Sequence, residues 1–267
     1  MDAATVFIAW AAGCLLWQVG IGRRRRLVFG ATWVIRAFAL VLALLAVGSA
    51  VVGTWVTARD VAAAMFLGIS VVAMAWSLVE HRAFRLQTAG RPGVAGGRED
   101  APTPVADRLD LVSAVVGVFA VVAGALDAGG PTGLALARWL VGTAAFGGVT
   151  FTMVFGHRLL AKPYLGREPL ESATTALLVT WPFEIVVMLL PTGMASVLTG
   201  VVDDGYAGIL GWMWAMCAVS TGALVVVARV ILADRDHSKP ASATGMLYLA
   251  GLTGFGAILI SRAVLSG

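Results

Sequence analysis

Charge is scarce in this sequence, and so are the side chains that most often hold metals. Asp, Glu, Lys and Arg make up 13% of 267 residues, with three histidines and two cysteines. Cys14 and Cys217 both fall in apolar stretches, and their number and spacing fit neither a metal site nor a disulfide framework. They read as small packing residues. There is no P-loop, no G-x-S-x-G elbow, no H-E-x-x-H and no C-x-x-C. The repeated Asp motifs of Mg²⁺-dependent prenyl or phosphatidyl transfer are missing, because Asp203-Asp204 has no second motif to work with. The regular arginine spacing of a voltage sensor is missing too. Nothing here points to catalysis on a soluble substrate.

What the chain has instead is length in apolar runs. Hydrophobic residues are 59% of it, and mean hydropathy is +0.89. A hydrocarbon core of about 30 Å takes roughly 20 helical residues. On that measure the sequence predicts spans at 4–21, 37–56, 61–79, 111–127, 139–157, 173–190, 208–228 and 243–262. The expected fold is all-α, a polytopic bundle of eight transmembrane helices forming a single integral membrane domain over residues 1–267. Residues 80–110, with Gly90, Pro92, Gly93, Gly96, Gly97, Pro102 and Pro104, read as a flexible cytoplasmic loop.

The positive charges set the orientation. Met1-Asp2-Ala3 precedes the first apolar run and Arg23 to Arg26 follow it, the order of a retained anchor with its N-terminus outside. Sixteen of the nineteen basic residues then fall on the inner side, leaving Arg59, Arg138 and Arg262 outside. With eight spans both termini lie outside, and the expected location is the cell (cytoplasmic) membrane. The bilayer itself is the expected partner: a net charge of +4 on the inner face suits anionic headgroups and requires no nucleic acid.

Arg36 sits between Leu27–Ile35 and the second span. One thirty-residue helix would bury it, but Ala37–Val56 suffices to cross, so Arg36 is expected to snorkel at the inner surface. Small residues at helical spacing mark close packing: Gly205, Gly208 and Gly211; Ala250 and Gly254 with Gly251 and Gly256; Thr143 and Gly147. Trp33, Trp55, Trp181, Trp212 and Trp214 include candidates for an interfacial belt.

Glu184 is the least expected residue, a carboxylate within Leu177–Met188 of span six. Such a group must be protonated, paired or turned to a water-filled cavity. Pro182 removes an N–H two residues earlier and is expected to kink the helix. An ionisable side chain beside a helix break suits pumps, transporters and quinone sites. A structural role, bonded to Thr180 or a hydroxyl of another helix, is the alternative. Arg36 is the nearest cation by depth, if span two begins early.

All three histidines reach the inner edge of a span, and His81-Arg82 and His157-Arg158 share a pattern. Two imidazoles at one depth can ligate a b-type haem from opposite faces, with arginines on its propionates. The alternative is a helix end that favours cations. The loop from Gly156 to Glu171 adds Lys162 and Tyr164, a donor-rich patch suited to a phosphate, a propionate or a quinone carbonyl.

Three functions fit these residues. The first is a membrane subunit of an electron-transfer or respiratory-type system, binding quinone or haem b at the cytoplasmic leaflet. His81, His157, Arg82, Arg158, Lys162 and Tyr164 would serve the cofactor, His81 and His157 as iron ligands, and Glu184 would handle protons. The second is a proton-coupled small-solute transporter using Glu184 at the Pro182 helix break. The third is a non-catalytic anchor or assembly subunit. The first and third imply other membrane or peripheral subunits as partners.

Overall fold

In the computed structural model, residues 3–25, 29–53, 55–88, 103–128, 131–161, 166–234 and 239–265 are described. Among them the chain forms nine α-helices and no strand: α1 (Ala3–Arg25), α2 (Phe29–Val52), α3 (Thr57–Thr88), α4 (Pro104–Asp127), α5 (Thr132–Ala161), α6 (Glu168–Leu189), α7 (Met194–Leu198), α8 (Ile209–Ala233) and α9 (Lys239–Leu265). All but the five-residue α7 are long and apolar enough to cross a membrane, eight in all. Their outward faces carry exposed Phe119, Trp212, Val219 and Leu252, the surface that lipid covers.

Proline opens helices here more often than it stops them. Pro104 is the first residue of α4, Pro169 lies in the first turn of α6 and Pro240 in that of α9. The carbonyl of Pro131 accepts the first amides of α5. At those positions the missing N–H has no helical partner to lose. The expected 80–110 loop is accordingly shorter. Helix α3 continues to Thr88, and α4 begins at Pro104 behind Thr103, whose hydroxyl bonds the Asp107 carboxylate at 3.1 Å. Glu80 of α3 accepts the amides of Val105 and Ala106 in the first turn of α4, pinning the start of α4 to α3.

Pro182 does not break α6, which runs unbroken from Glu168 to Leu189. Its ring faces outward and a single ladder bond is lost, so the helix tolerates it. Gly205 and Gly208 also differ from expectation. Both have positive φ, at 71° and 82°, and nothing crowds their missing Cβ, so they serve the turn before α8 and not packing. Asp204 accepts amides of Tyr206, Gly208, Leu210 and Gly211 there, capping α8 from upstream of its N-cap, Gly208. Gly211, Gly251, Gly254 and Gly256 do mark close approaches, to Val197, Met153, Val149 and Cys217. Trp181 and Trp214 are buried and so stand outside any aromatic belt; Trp181 donates to the Ala218 carbonyl at 2.9 Å.

The chain divides into two compact units, Asp2–Gly124 and Ala125–Gly267. In the first, α2 packs on α1 and α3, while α4 meets Ala12 and Phe66 through Gly117. In the second, α5 packs on α6 and α9, and α8 packs on α6 and α9.

Candidate functional site

In the second unit, the first turns of α5 and the last turns of α6 and α9 meet around two buried charges. Glu184, roughly 8 Å from the end of α6 at 1.5 Å per residue, is 3% exposed, and Arg262 of α9 is 5% exposed. Arg262 Nη2 donates to Glu184 Oε1 at 3.2 Å and to the Arg138 carbonyl of α5 at 2.6 Å. Nη1 points at Met188 Sδ, 3.1 Å away and one turn beyond Glu184 on the same face. The guanidinium carbon lies 5.3 Å from the centre of the Trp139 ring. Gly142, one turn further along α5, leaves the space that Nη2 occupies.

The pair is under-bonded. Among the described residues neither Glu184 Oε2 nor Arg262 Nε has a hydrogen-bond partner. The two members also differ in what the loss of the other would cost them. Arg262 keeps a backbone carbonyl, a thioether and a ring face, all neutral groups that stabilise a cation. Among the described residues Glu184 has Arg262 alone. A guanidinium stays protonated, so the carboxylate is the only member able to exchange a proton. Protonating Glu184 leaves Arg262 solvated by those neutral neighbours.

Arg138 lines the same end. It is half-buried, and its Nη2 reaches the Pro191 carbonyl at 3.4 Å, beside the turn into α7. The expectation that Glu184 faces the interior beside a polar partner agrees with this geometry, but the partner is Arg262 and not Arg36. Arg262 had been counted among the outer charges. The usable signal was depth: residues 184 and 262 lie near the same end of parallel spans six and eight.

Arg36 has its own partners in the first unit, and it is buried, not snorkelling. Helix α2 starts at Phe29, which places Arg36 two turns inside, and α4 starts early enough to bring two aspartates to it. Its Nε meets Asp110 Oδ2 at 2.8 Å and its Nη2 meets Asp107 Oδ1 at 2.6 Å. Gln18 of α1 donates to the same Asp110 oxygen at 2.6 Å. Thr32 accepts from Nη1 at 3.2 Å and Thr103 from Nη2 at 3.4 Å. Arg59, also expected at the outer surface, is fully buried and bonds Asp60 at 2.6 Å.

The histidine candidates are distributed between the units. His81 and Arg82 belong to α3 of the first, His157 and Arg158 to α5 of the second. His157 is exposed, with its ring edge toward Tyr248 at 6.2 Å. His81 is half-buried and Arg82 exposed. Lys162 and Tyr164 lie outside the described residues. No group of three or more His, Cys, Asp or Glu suited to a metal occurs among the described residues.

No known protein family, curated protein or solved structure matches the chain.

Proposed function

We propose that the chain is a proton-coupled carrier of a small solute, with Glu184 as the group that takes up and releases the proton. The observation that carries this reading is the buried, under-bonded pair of Glu184 and Arg262. Each charge is expensive inside a membrane, and such residues most often mark a transport or proton path. A purely structural pair gains most when every donor and acceptor is satisfied. Here one oxygen and one nitrogen are left open. The reading includes an orientation with both termini outside, in the cell membrane, as the basic residues favour. Glu184 would then load from the outer side of its unit.

The haem or quinone reading needs His81 and His157 together, or a cofactor held by one unit. Neither unit by itself supplies two histidines to one cofactor among the described residues. A visible spectrum of the purified protein separates the readings: the carrier is colourless, whereas a reduced b-type haem band would restore the electron-transfer subunit. The direct test uses proteoliposomes containing a pH-sensitive dye, given panels of sugars, amino acids, carboxylates and amines. One class should acidify or alkalinise the lumen with the wild-type protein and fail to do so with Glu184→Gln, which keeps shape but exchanges no proton. Solute-driven proton movement of equal size in both would overturn the assignment.

A further inference from the structure

At the opposite end of the second unit, an open cleft of about 470 Å³ separates the start of α6 from the end of α8. That volume is within the usual range for a small-ligand site, roughly 300–1,000 Å³. Arg167, Glu171, Arg229, Leu232 and Ala233 line it. The two arginines are held in place from opposite sides. Arg167 Nη1 bonds the Asp234 carbonyl at 2.8 Å, tying α6 to the end of α8. Arg229 Nε bonds Thr175 Oγ1 at 2.9 Å, and Thr175 in turn bonds the Glu171 carbonyl at 2.8 Å.

Arg229 and Glu171 leave chemistry unspent. Among the described residues the terminal nitrogens of Arg229 carry no hydrogen bond, and the Glu171 carboxylate has neither bond nor ion pair. Two guanidiniums suit a phosphate. A phosphate alone leaves Glu171 repelled; a ligand that also carries an ammonium satisfies it. Leu232 and Ala233 form an apolar wall, continued outward by exposed Val230 and Val226 of the same helix. Phosphate, ammonium and an apolar root together describe one group.

We propose that this cleft binds a phosphoethanolamine group, presented by a phospholipid whose acyl chains run along α8. Arg167 and Arg229 take the phosphodiester, and Glu171 takes the ammonium. The site is independent of Glu184 and of the carrier reading.

The test is native mass spectrometry of the delipidated full chain with short-chain phosphatidylethanolamine, phosphatidylglycerol and phosphatidylcholine. The ethanolamine lipid should bind best. Arg229→Gln should weaken all three by roughly tenfold, as expected for one charge-assisted hydrogen bond. Glu171→Gln should remove the preference for ethanolamine over choline and keep phospholipid binding. Ala233→Trp, which fills the cleft from its exposed rim without touching a charge, should block every lipid while circular dichroism shows unchanged helicity. Soluble phosphoethanolamine that displaces the lipid would show that the headgroup suffices; failure to displace it would show that the apolar root is also needed, and both results support the site. Equal binding of ethanolamine and choline lipids to the wild type would overturn it. So would unchanged lipid binding in both Arg229→Gln and Ala233→Trp.

Discussion

Arg262 crosses α5 over Gly142, at a point where a Cβ on residue 142 would overlap its Nη2. The glycine is therefore part of the ion pair, though it carries no side chain. Gly142→Ala should displace the guanidinium and leave Glu184 buried without a partner, a loss of about 1–3 kcal/mol. Thermal or denaturant unfolding in detergent checks the value. In a Glu184→Leu/Arg262→Leu background the same alanine should cost little, since there is no guanidinium to displace.

Breaking the pair from one side should cost more than removing it. Arg262→Leu strands a buried carboxylate, whereas Glu184→Leu/Arg262→Leu leaves an apolar interior. The single change should destabilise by roughly 1.5 kcal/mol or more, and the double change by less than the single one. Glu184→Leu should be the milder single change, because the Arg138 carbonyl, Met188 and Trp139 still hold Arg262. Equal losses for the two singles would contradict the asymmetry of their surroundings.

Asp204 supplies a pH dependence outside the membrane. Partial burial acts to raise its pKa, but the amides of Gly208, Tyr206, Leu210 and Gly211 outweigh that and hold the carboxyl below the usual carboxylate range. A lowered folded-state pKa means the cap contributes stability above the unfolded value, near 4. That contribution is lost as pH falls through the folded value. Amide exchange at Leu210 and Gly211, compared at each pH with Asp204→Asn, should show wild-type protection that converges on the variant in acid. A constant ratio across the range would remove Asp204 from the cap.

Much of the architecture was legible because the bilayer requires long apolar helices. All eight spans emerged, and Glu184 stood out as a carboxylate in an apolar run. Helix ends were less legible where proline carries two meanings. Pro102 and Pro104 read as loop residues, yet Thr103-Pro104-Val105-Ala106-Asp107 starts a helix, and that start delivers Asp107 and Asp110 to Arg36. Without those partners, burial of Arg36 looked too costly to expect. The partner of Glu184 lies 78 positions away on α9, and only the packing of α5, α6 and α9 brings them together. No periodicity encodes that meeting, and the clearance at Gly142 is equally silent in one dimension.

Topology gives a test that depends on charge distribution alone. In a background with Cys14 and Cys217 replaced by alanine, a cysteine at Gly96 should resist an impermeant thiol reagent in intact cells. Cysteines at Gly129 or Gly205 should label. The reverse pattern would invert the orientation and place Glu184 near the inner surface.

The central claim is that Glu184 exchanges a proton, and infrared difference spectroscopy of the reconstituted protein across a pH step reads this without knowledge of the solute. The account predicts a carbonyl-stretch band of a protonated carboxylic acid that appears on acidification in the wild type and is missing from Glu184→Gln. Identical difference spectra for the two proteins would show that Glu184 keeps one protonation state, and the carrier mechanism would fail.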